Sequence, residues 1–240
     1  MENDKVISFG VMPELPYSVE EAINRLRVNV NFLGKRIRRI MIVSSLPNEG
    51  KSFVAMQLWR QLAENGASTL FIDADLRKSI LTDKYDISLE SGEEILGTSH
   101  YLSGESTPEE AIYHTHYENG DFLPNTDNVV NPSLLIEGQR FKELLDYAGE
   151  HYRYTFVDCP PLGLVSDGEQ IARMCDGAIL CVRGGDTSKS IIRNSINQLE
   201  RTGCPLLGVV MNRVNTSTGG YYHKYYGSKY YYNDKYYTQK

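Results

Sequence analysis

Residues 40–52, IMIVSSLPNEGKS, decide the fold class of this 240-residue chain. Four apolar residues open the stretch, as in a strand that is buried on both faces of a parallel sheet. Residues 45–52 then match the phosphate-binding pattern G-x4-G-K-[ST], with Ser45 in place of the first glycine. In that pattern, backbone N–H groups and a helix N-terminus bind phosphate, the lysine reaches the terminal phosphates and the hydroxyl takes one Mg²⁺ position. Because an apolar run precedes the pattern and a helical segment follows it, we interpret it as a nucleotide-binding loop rather than an ordinary turn.

Four further apolar runs predict strands, and helical segments separate them. The runs are residues 69–72, 154–157, 178–182 and 206–211. The helices are predicted at residues 18–34, 51–64, 133–148 and 187–202. Ser18 and Glu21 form a capping-box pattern for the first helix, and Asn65-Gly66 ends the second. This alternation predicts a P-loop NTPase-like, doubly wound α/β fold with a mainly parallel sheet flanked by helices, in which ligands bind at the carboxyl ends of the strands.

Three segments are predicted along the chain. Residues 1–17, which hold Pro13 and Pro16, are expected to form an N-terminal arm, residues 18–214 a P-loop domain and residues 215–240 a flexible tail. The tail contains no Leu, Ile or Val, so it cannot build a core by itself. Residues 80–130 predict only a short helix after Ser91, supported by Glu94, and a strand near residues 121–123.

Tyrosine is concentrated in the tail. Nine of the 17 tyrosines fall in the last 20 residues, and they are Tyr221, Tyr222, Tyr225, Tyr226, Tyr230, Tyr231, Tyr232, Tyr236 and Tyr237. Four lysines against one aspartate give residues 221–240 a charge of +3, which leaves −9 for the rest of a chain whose net charge is −6. Because small and polar residues separate the tyrosines, they could enter a catalytic pocket without unfolding anything.

The composition argues against several classes of protein. A net charge of −6 and a pI of about 5.4 give no general attraction to nucleic acid, so no nucleic-acid partner is expected. No run approaches the roughly 18 apolar residues of a membrane-spanning helix, and the first residues lack the pattern of a signal peptide, so a cytoplasmic location is expected. The cysteines form no C-x2-C pair, which argues against a zinc site or a disulfide scaffold; they are Cys159, Cys175, Cys181 and Cys204.

Carboxylates follow two of the predicted strands. Asp73, Asp75 and Arg77 come after the run at residues 69–72, and Asp158 closes the run at residues 154–157. Since the carboxyl ends of parallel strands share one edge of a sheet, we interpret Asp73 and Asp75 as base and metal residues. Asp158 would hold an Mg²⁺-bound water. The alternatives are that Asp73 or Asp75 caps the next helix and that Asp158 has no role.

Together these motifs resemble those of the bacterial tyrosine kinases, a family in the P-loop branch that also contains the MinD, ParA and nitrogenase iron proteins. The family pattern stands here as SSLPNEGKS, LFIDADLR, TFVDCPP and the tyrosine cluster, with residues 102–104 and 131–135 in agreement. The resemblance implies an ATP- and Mg²⁺-dependent kinase that phosphorylates its own C-terminal tyrosines and regulates capsule or exopolysaccharide synthesis and export. It also implies a cytoplasmic homo-oligomer, recruited to the inner face of the membrane by a separate transmembrane activator and opposed by a protein-tyrosine phosphatase.

The resemblance also assigns roles to residues of this chain. The catalytic residues would be Lys51, Asp73, Asp75 and Asp158, with Asp73 as the base for the attacking tyrosine. The metal would be held by Ser52, Asp75 and Asp158. The nucleotide would be bound by Ser45, Asn48, Glu49, Gly50, Lys51, Ser52, Phe53, Arg77 and Asn212. Asn212 resembles the adenine-contacting asparagine of this branch, although a turn residue after a strand is an equal alternative. The nine tail tyrosines would be the sites of autophosphorylation, with transfer mainly between subunits.

One family motif is incomplete. The pattern E-x2-R-x2-R, which contacts a neighbouring subunit in the family's ring, stands here as Glu21, Asn24 and Arg27, with Arg25 beside the middle position. A solvated helix face is the alternative interpretation of these residues.

Three other functions stay open at this point. The first is a ParA- or MinD-like ATPase, for which a lysine would be needed at the position of Leu46. The others are an ATP-sensing, non-catalytic adaptor and a tail that stacks on RNA or self-associates.

Overall fold

The computed structural model describes residues 5–214, and these form one nine-stranded sheet. The strands are β1 (Val6–Phe9), β2 (Arg39–Ser44), β3 (Thr69–Asp73), β4 (Ile87–Leu89), β5 (Tyr113–Thr115), β6 (Gly120–Leu123), β7 (Tyr154–Asp158), β8 (Gly177–Arg183) and β9 (Leu206–Asn212). Their order across the sheet is β4-β1-β5-β6-β3-β7-β2-β8-β9. The pairing is parallel from β6 through β9, and antiparallel only between β1 and β4 and between β5 and β6.

Helices cover both faces of this sheet. They are α1 (Tyr17–Asn31), α2 (Lys51–Glu64), α3 (Leu81–Tyr85), α4 (Thr98–Ser103), α5 (Pro108–Ala111), α6 (Ser133–Glu137), α7 (Gln139–His151), α8 (Asp167–Ala172) and α9 (Lys189–Thr202). One buried cluster lies between the sheet and α1, α2 and α3, with Trp59 and Phe71 among its largest members. The other lies between the sheet and the group that includes α7, α8 and α9. The fold is therefore the doubly wound, mainly parallel α/β fold that the sequence predicts.

The five apolar runs are confirmed as β2, β3, β7, β8 and β9, and the helix predicted at residues 51–64 is α2. Gly66 follows α2 with a φ of 83°, a left-handed conformation that suits glycine after a helix. The helix predicted at residues 133–148 is instead two helices, α6 and α7. The chain is extended at Gly138 between them, with φ −68° and ψ 155°.

Two predictions about the less regular parts of the chain are wrong, and the predicted N-terminal arm holds a strand. Within that arm, residues 6–9 form β1, which pairs with β4 and β5. Helix α1 begins at Tyr17 after Pro16 without a side-chain cap, so Ser18 and Glu21 form no capping box. The residues after Ser91 form a loop, and the next helix, α4, begins only at Thr98.

The central strands place the site. β2 and β3 flank β7, and Asp73 at the end of β3 lies in register with Asp158 at the end of β7. The phosphate loop leaves the end of β2 and leads directly into α2. The three segments that carry the predicted chemistry therefore meet at one edge of the sheet.

Candidate active site

The phosphate loop has two residues in the left-handed region of the backbone. Asn48 and Gly50 have φ values of 63° and 89°, in the left-handed region where glycine and asparagine are best tolerated. A Cβ atom on Gly50 would lie 2.0 Å from Nδ2 of Asn212, so a side chain at Gly50 would also clash. The N–H of Leu46 donates to Oε2 of Glu49 at 2.7 Å, which closes the loop on itself.

Lys51, the first residue of α2, lies among carboxylates. Its Nζ donates to Asp75 Oδ2 at 3.2 Å and to Asp158 Oδ2 at 3.5 Å. It also donates to the hydroxyl of Ser52 at 3.1 Å. Burial lowers the pKa of Lys51, but the charges of Asp158, Asp75 and Asp73 raise it more, so the net pKa is above the ordinary value. Lys51 is therefore a charged ammonium in a buried, acidic site.

Asp73 is fully buried at the end of β3. The hydroxyl of Ser79 donates to its Oδ2, and the N–H of Asp75 donates to its Oδ1 at 3.2 Å. Burial and the nearby charge of Asp158 raise the pKa of Asp73 to about 8, although the bond from Ser79 and the charge of Lys51 act against that rise. Asp73 is consequently a stronger base than an ordinary aspartate.

Asp158 fits the coordination of a hard cation. Burial raises its pKa, while the charge of Lys51 and a bond from Ser52 lower it less. Its Oδ1 is buried and has no hydrogen-bond partner among the described residues. An orphaned buried carboxylate oxygen is costly unless a ligand satisfies it. With the hydroxyl of Ser52 and the carboxylate of Asp75 beside the same ammonium, these oxygens suit Mg²⁺ held directly or through water.

Glu49 and Asn212, both predicted to bind nucleotide, contact the loop itself. Glu49 is buried, and its Oε1 accepts hydrogen bonds from the N–H of Arg183, at 3.2 Å, and from the hydroxyl of Thr187. Asn212 donates from Nδ2 to the carbonyl of Glu49 at 3.0 Å. The carboxylate of Glu49 therefore links the phosphate loop to the end of β8. Because this carboxylate is already hydrogen-bonded within the protein, Glu49 would contact a nucleotide through its backbone.

Arg77 does not turn its guanidinium toward the phosphate loop. It pairs with Asp167 at the start of α8, with Nη2 at 2.9 Å from Oδ1, and it donates to the hydroxyl of Ser133 at 3.1 Å. Ser133 in turn donates to Asp167 at 2.8 Å. Sequence reasoning missed Asp167, since no motif marks it. Ser133 lies in the segment at residues 131–135 that agrees with the family pattern, which was the one available signal.

The remaining predicted residues take the following places. Ser45 is buried and accepts a hydrogen bond from Ser195 of α9 at 2.9 Å, and Phe53 is partly buried in the first turn of α2. On α1, Arg27 donates two hydrogen bonds to Oδ1 of Asn24, at 3.1 and 2.7 Å, and Glu21 is partly exposed. The nine tail tyrosines lie outside the described residues.

Comparison with known proteins identifies the family. A family model described as an AAA domain matches residues 38–180. Tyrosine-protein kinase CpsD of Streptococcus agalactiae serotype III (strain NEM316) is 32% identical over 202 residues, which span 84% of this chain and 85% of that protein. This chain belongs to the bacterial tyrosine kinase family. The kinase match extends to tyrosine-protein kinase etk of Escherichia coli (strain K12), at 31% identity over 88% of this chain and 28% of that longer protein.

Solved structures place this kinase in the same group. The VpsO kinase domain superposes with a TM-score of 0.75 at 28% identity, covering 82% of this chain and 95% of that one. The kinase domain of Escherichia coli tyrosine kinase ETK gives 0.72 at 29% identity, covering 85% and 80%. MinD of Pyrococcus horikoshii, at 24% identity and a TM-score of 0.64 over 76% and 72% of the two chains, shares the fold.

Within residues 5–214, the helices are all too short or too polar to cross a bilayer.

Proposed function

We propose that this kinase transfers the terminal phosphoryl group of ATP to the tyrosines of its own C-terminal cluster, mainly between copies of the chain. The observation that carries the proposal is the convergence of Lys51, Asp75 and Asp158 on one ammonium–carboxylate cluster, with Asp73 in register beside it. Phosphoryl transfer depends mainly on positioning and charge neutralisation. A buried lysine at the start of a helix supplies both for the phosphates of a nucleotide.

Asp73 is the proposed base. A tyrosine hydroxyl has a pKa of about 10, so it attacks poorly at neutral pH unless a base accepts its proton. A carboxylate whose pKa is raised to about 8 accepts that proton better than an ordinary aspartate does. As Asp73 takes the proton, the phenolic oxygen forms its bond to the γ-phosphorus, and the bond from that phosphorus to the β–γ bridging oxygen breaks to release ADP.

Lys51 would bind the phosphate oxygens, and Ser52, Asp75 and Asp158 would hold Mg²⁺, which neutralises phosphate charge when it is bound. The left-handed backbone at Asn48 and Gly50 shapes the loop that faces the phosphates. Glu49 and Asn212 stabilise that loop through their hydrogen bonds to it and to β8. Asn212 would also contact the adenine, as the family resemblance implies.

The wider role rests on the family resemblance. We propose control of capsule or exopolysaccharide synthesis and export, with a transmembrane activator that recruits the kinase to the inner face of the membrane and a phosphatase that reverses the reaction. Residues 18–214 would act as the catalytic domain and residues 215–240 as the substrate tail. A homo-oligomer would form through α1, where Arg27 donates to Asn24, the residue that stands in place of the family's first arginine.

A mixing experiment tests transfer between copies. A Lys51→Met chain with an intact tail is incubated with Mg²⁺, ATP and an active chain whose nine tail tyrosines are replaced by serine. Phosphate should appear on the tail of the Lys51→Met chain, at tyrosines that mass spectrometry can map. Each protein incubated alone is the control. An unlabelled Lys51→Met tail in the mixture would refute transfer between copies.

A further inference from the structure

Four large apolar side chains are exposed in the three connections that follow β3, β6 and β7 at the carboxyl edge of the sheet. Ile80, on the loop after β3, is 49% exposed. Val130 and Leu134, after β6, are 97% and 74% exposed, and Leu164, after β7, is 62% exposed. Loops at this edge carry function in open α/β sheets, and grouped exposed apolar side chains mark contact surfaces. We call these four residues the apolar rim.

Hydrogen bonds hold the first two of these loops together. The N–H of Val129 donates to the carbonyl of Leu76 at 2.7 Å. The N–H of Ser79 donates to Oδ1 of Asn128 at 3.0 Å. The loop after β6 is therefore fixed along the loop that follows Asp73.

The Arg77–Asp167–Ser133 cluster joins the third loop to the other two. Arg77 belongs to the loop after β3, Ser133 follows the loop after β6, and Asp167 follows the loop after β7. Each residue of the apolar rim lies within three positions of one of these three residues. The cluster thus ties the three segments that carry the apolar rim to one ion pair, in which Asp167 is buried and Arg77 is partly exposed.

The apolar rim begins beside the proposed base. Ser79, which donates its hydroxyl proton to Asp73, directly precedes Ile80 in the chain. The segment that carries Ile80 therefore also carries the hydroxyl that contacts the carboxylate proposed to accept the proton. This adjacency separates the apolar rim from exposed apolar residues elsewhere, such as Phe32 at the end of α1.

The tail matches this surface in chemistry. Residues 221–240 hold nine tyrosines, no Leu, Ile or Val, and four lysines. Tyrosine rings bury apolar surface when they pack on Leu, Ile or Val, while their hydroxyl groups stay accessible for reaction. Asp127 and Glu137, each three positions from a residue of the apolar rim, are exposed and can attract the lysines.

We propose that the apolar rim is the docking surface for the tyrosine tail of a second copy of this chain, and that it selects aromatic acceptors. This inference rests on the proposed function and adds the residues that choose its substrate. The Arg77–Asp167 pair positions these residues rather than taking part in the chemistry.

A binding measurement tests the apolar rim without turnover. The probe is a fluorescent peptide of residues 221–240 in which every tyrosine is phenylalanine, so that it binds but cannot be phosphorylated. The host is the full chain with its nine tail tyrosines replaced by serine, which removes the competing tail. Val130→Ser, Leu134→Ser and Leu164→Ser are introduced together. Val11→Ser with Val209→Ser, two exposed apolar residues outside α1 and outside the apolar rim, form the control.

Removing three apolar contacts should weaken peptide binding about tenfold, and the control should stay within about twofold. The KM for ATP should be unchanged in both, which shows that the variants fold. A peptide with serine at all nine positions should not bind. Equal affinity of the triple variant and its host would overturn the inference. So would a fall in oligomer mass of the triple variant at unchanged peptide affinity, since the surface would then contact the body of another copy.

The proposed function is tested separately with the native peptide. If the active host fails to phosphorylate residues 221–240 in the presence of Mg²⁺ and ATP, the proposed autophosphorylation is wrong, whatever the phenylalanine peptide does. If it phosphorylates the native peptide and the triple variant does so with the same KM, only the role of the apolar rim is wrong.

Discussion

Gly50→Ala tests whether the phosphate loop has the geometry described above. Gly50 has a φ of 89°, where an alanine is strained, and its Cβ would lie 2.0 Å from Nδ2 of Asn212. The substitution therefore has two consequences. It strains the backbone, and it displaces the amide that donates to the carbonyl of Glu49 at 3.0 Å.

The size of the effect follows from these two contributions. A left-handed backbone costs an alanine about 1–2 kcal/mol relative to glycine. Loss of the hydrogen bond from Asn212 costs about 1 kcal/mol. Gly50→Ala should therefore lower the free energy of unfolding by about 2–3 kcal/mol, and Asn212→Ala by about 1 kcal/mol. In the double variant the lost hydrogen bond counts only once, so the two effects should fall short of additivity by about 1 kcal/mol.

The double-mutant cycle is measured by urea denaturation of the wild type, the two single variants and the double variant, followed by the fluorescence of the buried Trp59. Gly66→Ala is the matched control. Gly66 also has a positive φ, of 83°, but a Cβ there would meet no atom within 4 Å. It should show the backbone cost alone and no coupling to Asn212→Ala. A Gly50→Ala cost no larger than that of Gly66→Ala, with strict additivity, would refute the proposed contact between the loop and Asn212.

Three further outcomes are expected. Burial raises the pKa of Asp167, but hydrogen bonds from Arg77 and Ser133 bring it below the ordinary value. The stability that this pair contributes is therefore present above the unfolded pKa of about 3.9, and it is lost as the pH falls through the folded pKa. Asp167→Asn should flatten the fall of the urea midpoint below about pH 4, and an unchanged fall would contradict the pairing. Lys51→Met should lower tyrosine phosphorylation, measured with radiolabelled ATP, by about a hundredfold or more, while the exposed Lys35→Met stays within about twofold; comparable losses would show that general charge matters rather than position. The kcat/KM for the native tail peptide should rise with pH through the pKa of Asp73, which is about 8, because only the ionised carboxylate accepts a proton. Asp73→Asn should give a low, flat profile, and a wild-type profile without a rise would argue against Asp73 as the base.

Much of the central sheet could be predicted because its signals are local. Residues 40–43 and 154–157 are continuous apolar runs, and the left-handed glycine of the phosphate loop is marked by its own motif. The edge of the sheet could not be predicted in the same way. β1 has four residues and β4 has three, and each is stabilised by pairing with the other across about 80 residues of chain. Such pairing leaves little trace in either segment.

In the candidate site too, residues with a local sequence signal could be predicted and residues without one could not. Asp73, Asp75 and Asp158 follow recognisable strands, so parallel topology was enough to bring them together. The partners that hold the site come from distant segments without a motif. Glu49 is bound by Arg183 and Thr187, and neither contact has a local pattern. For the same reason Arg77 could be recognised in its motif while the direction of its guanidinium, toward Asp167, could not.

The register between β3 and β7 links the core to the chemistry. Phe71 faces the cluster under α2, where it stacks on Phe122 with ring centroids 4.7 Å apart, while Leu70 and Ile72 face the opposite cluster. A slip of one residue would exchange these faces and place all three side chains against the wrong helices. The packing of these apolar residues therefore fixes the register, and the register sets Asp73 opposite Asp158. Both strands then turn their last residue toward the face where α2 begins with Lys51. A core substitution such as Phe71→Leu should thus reach the active site through this alignment.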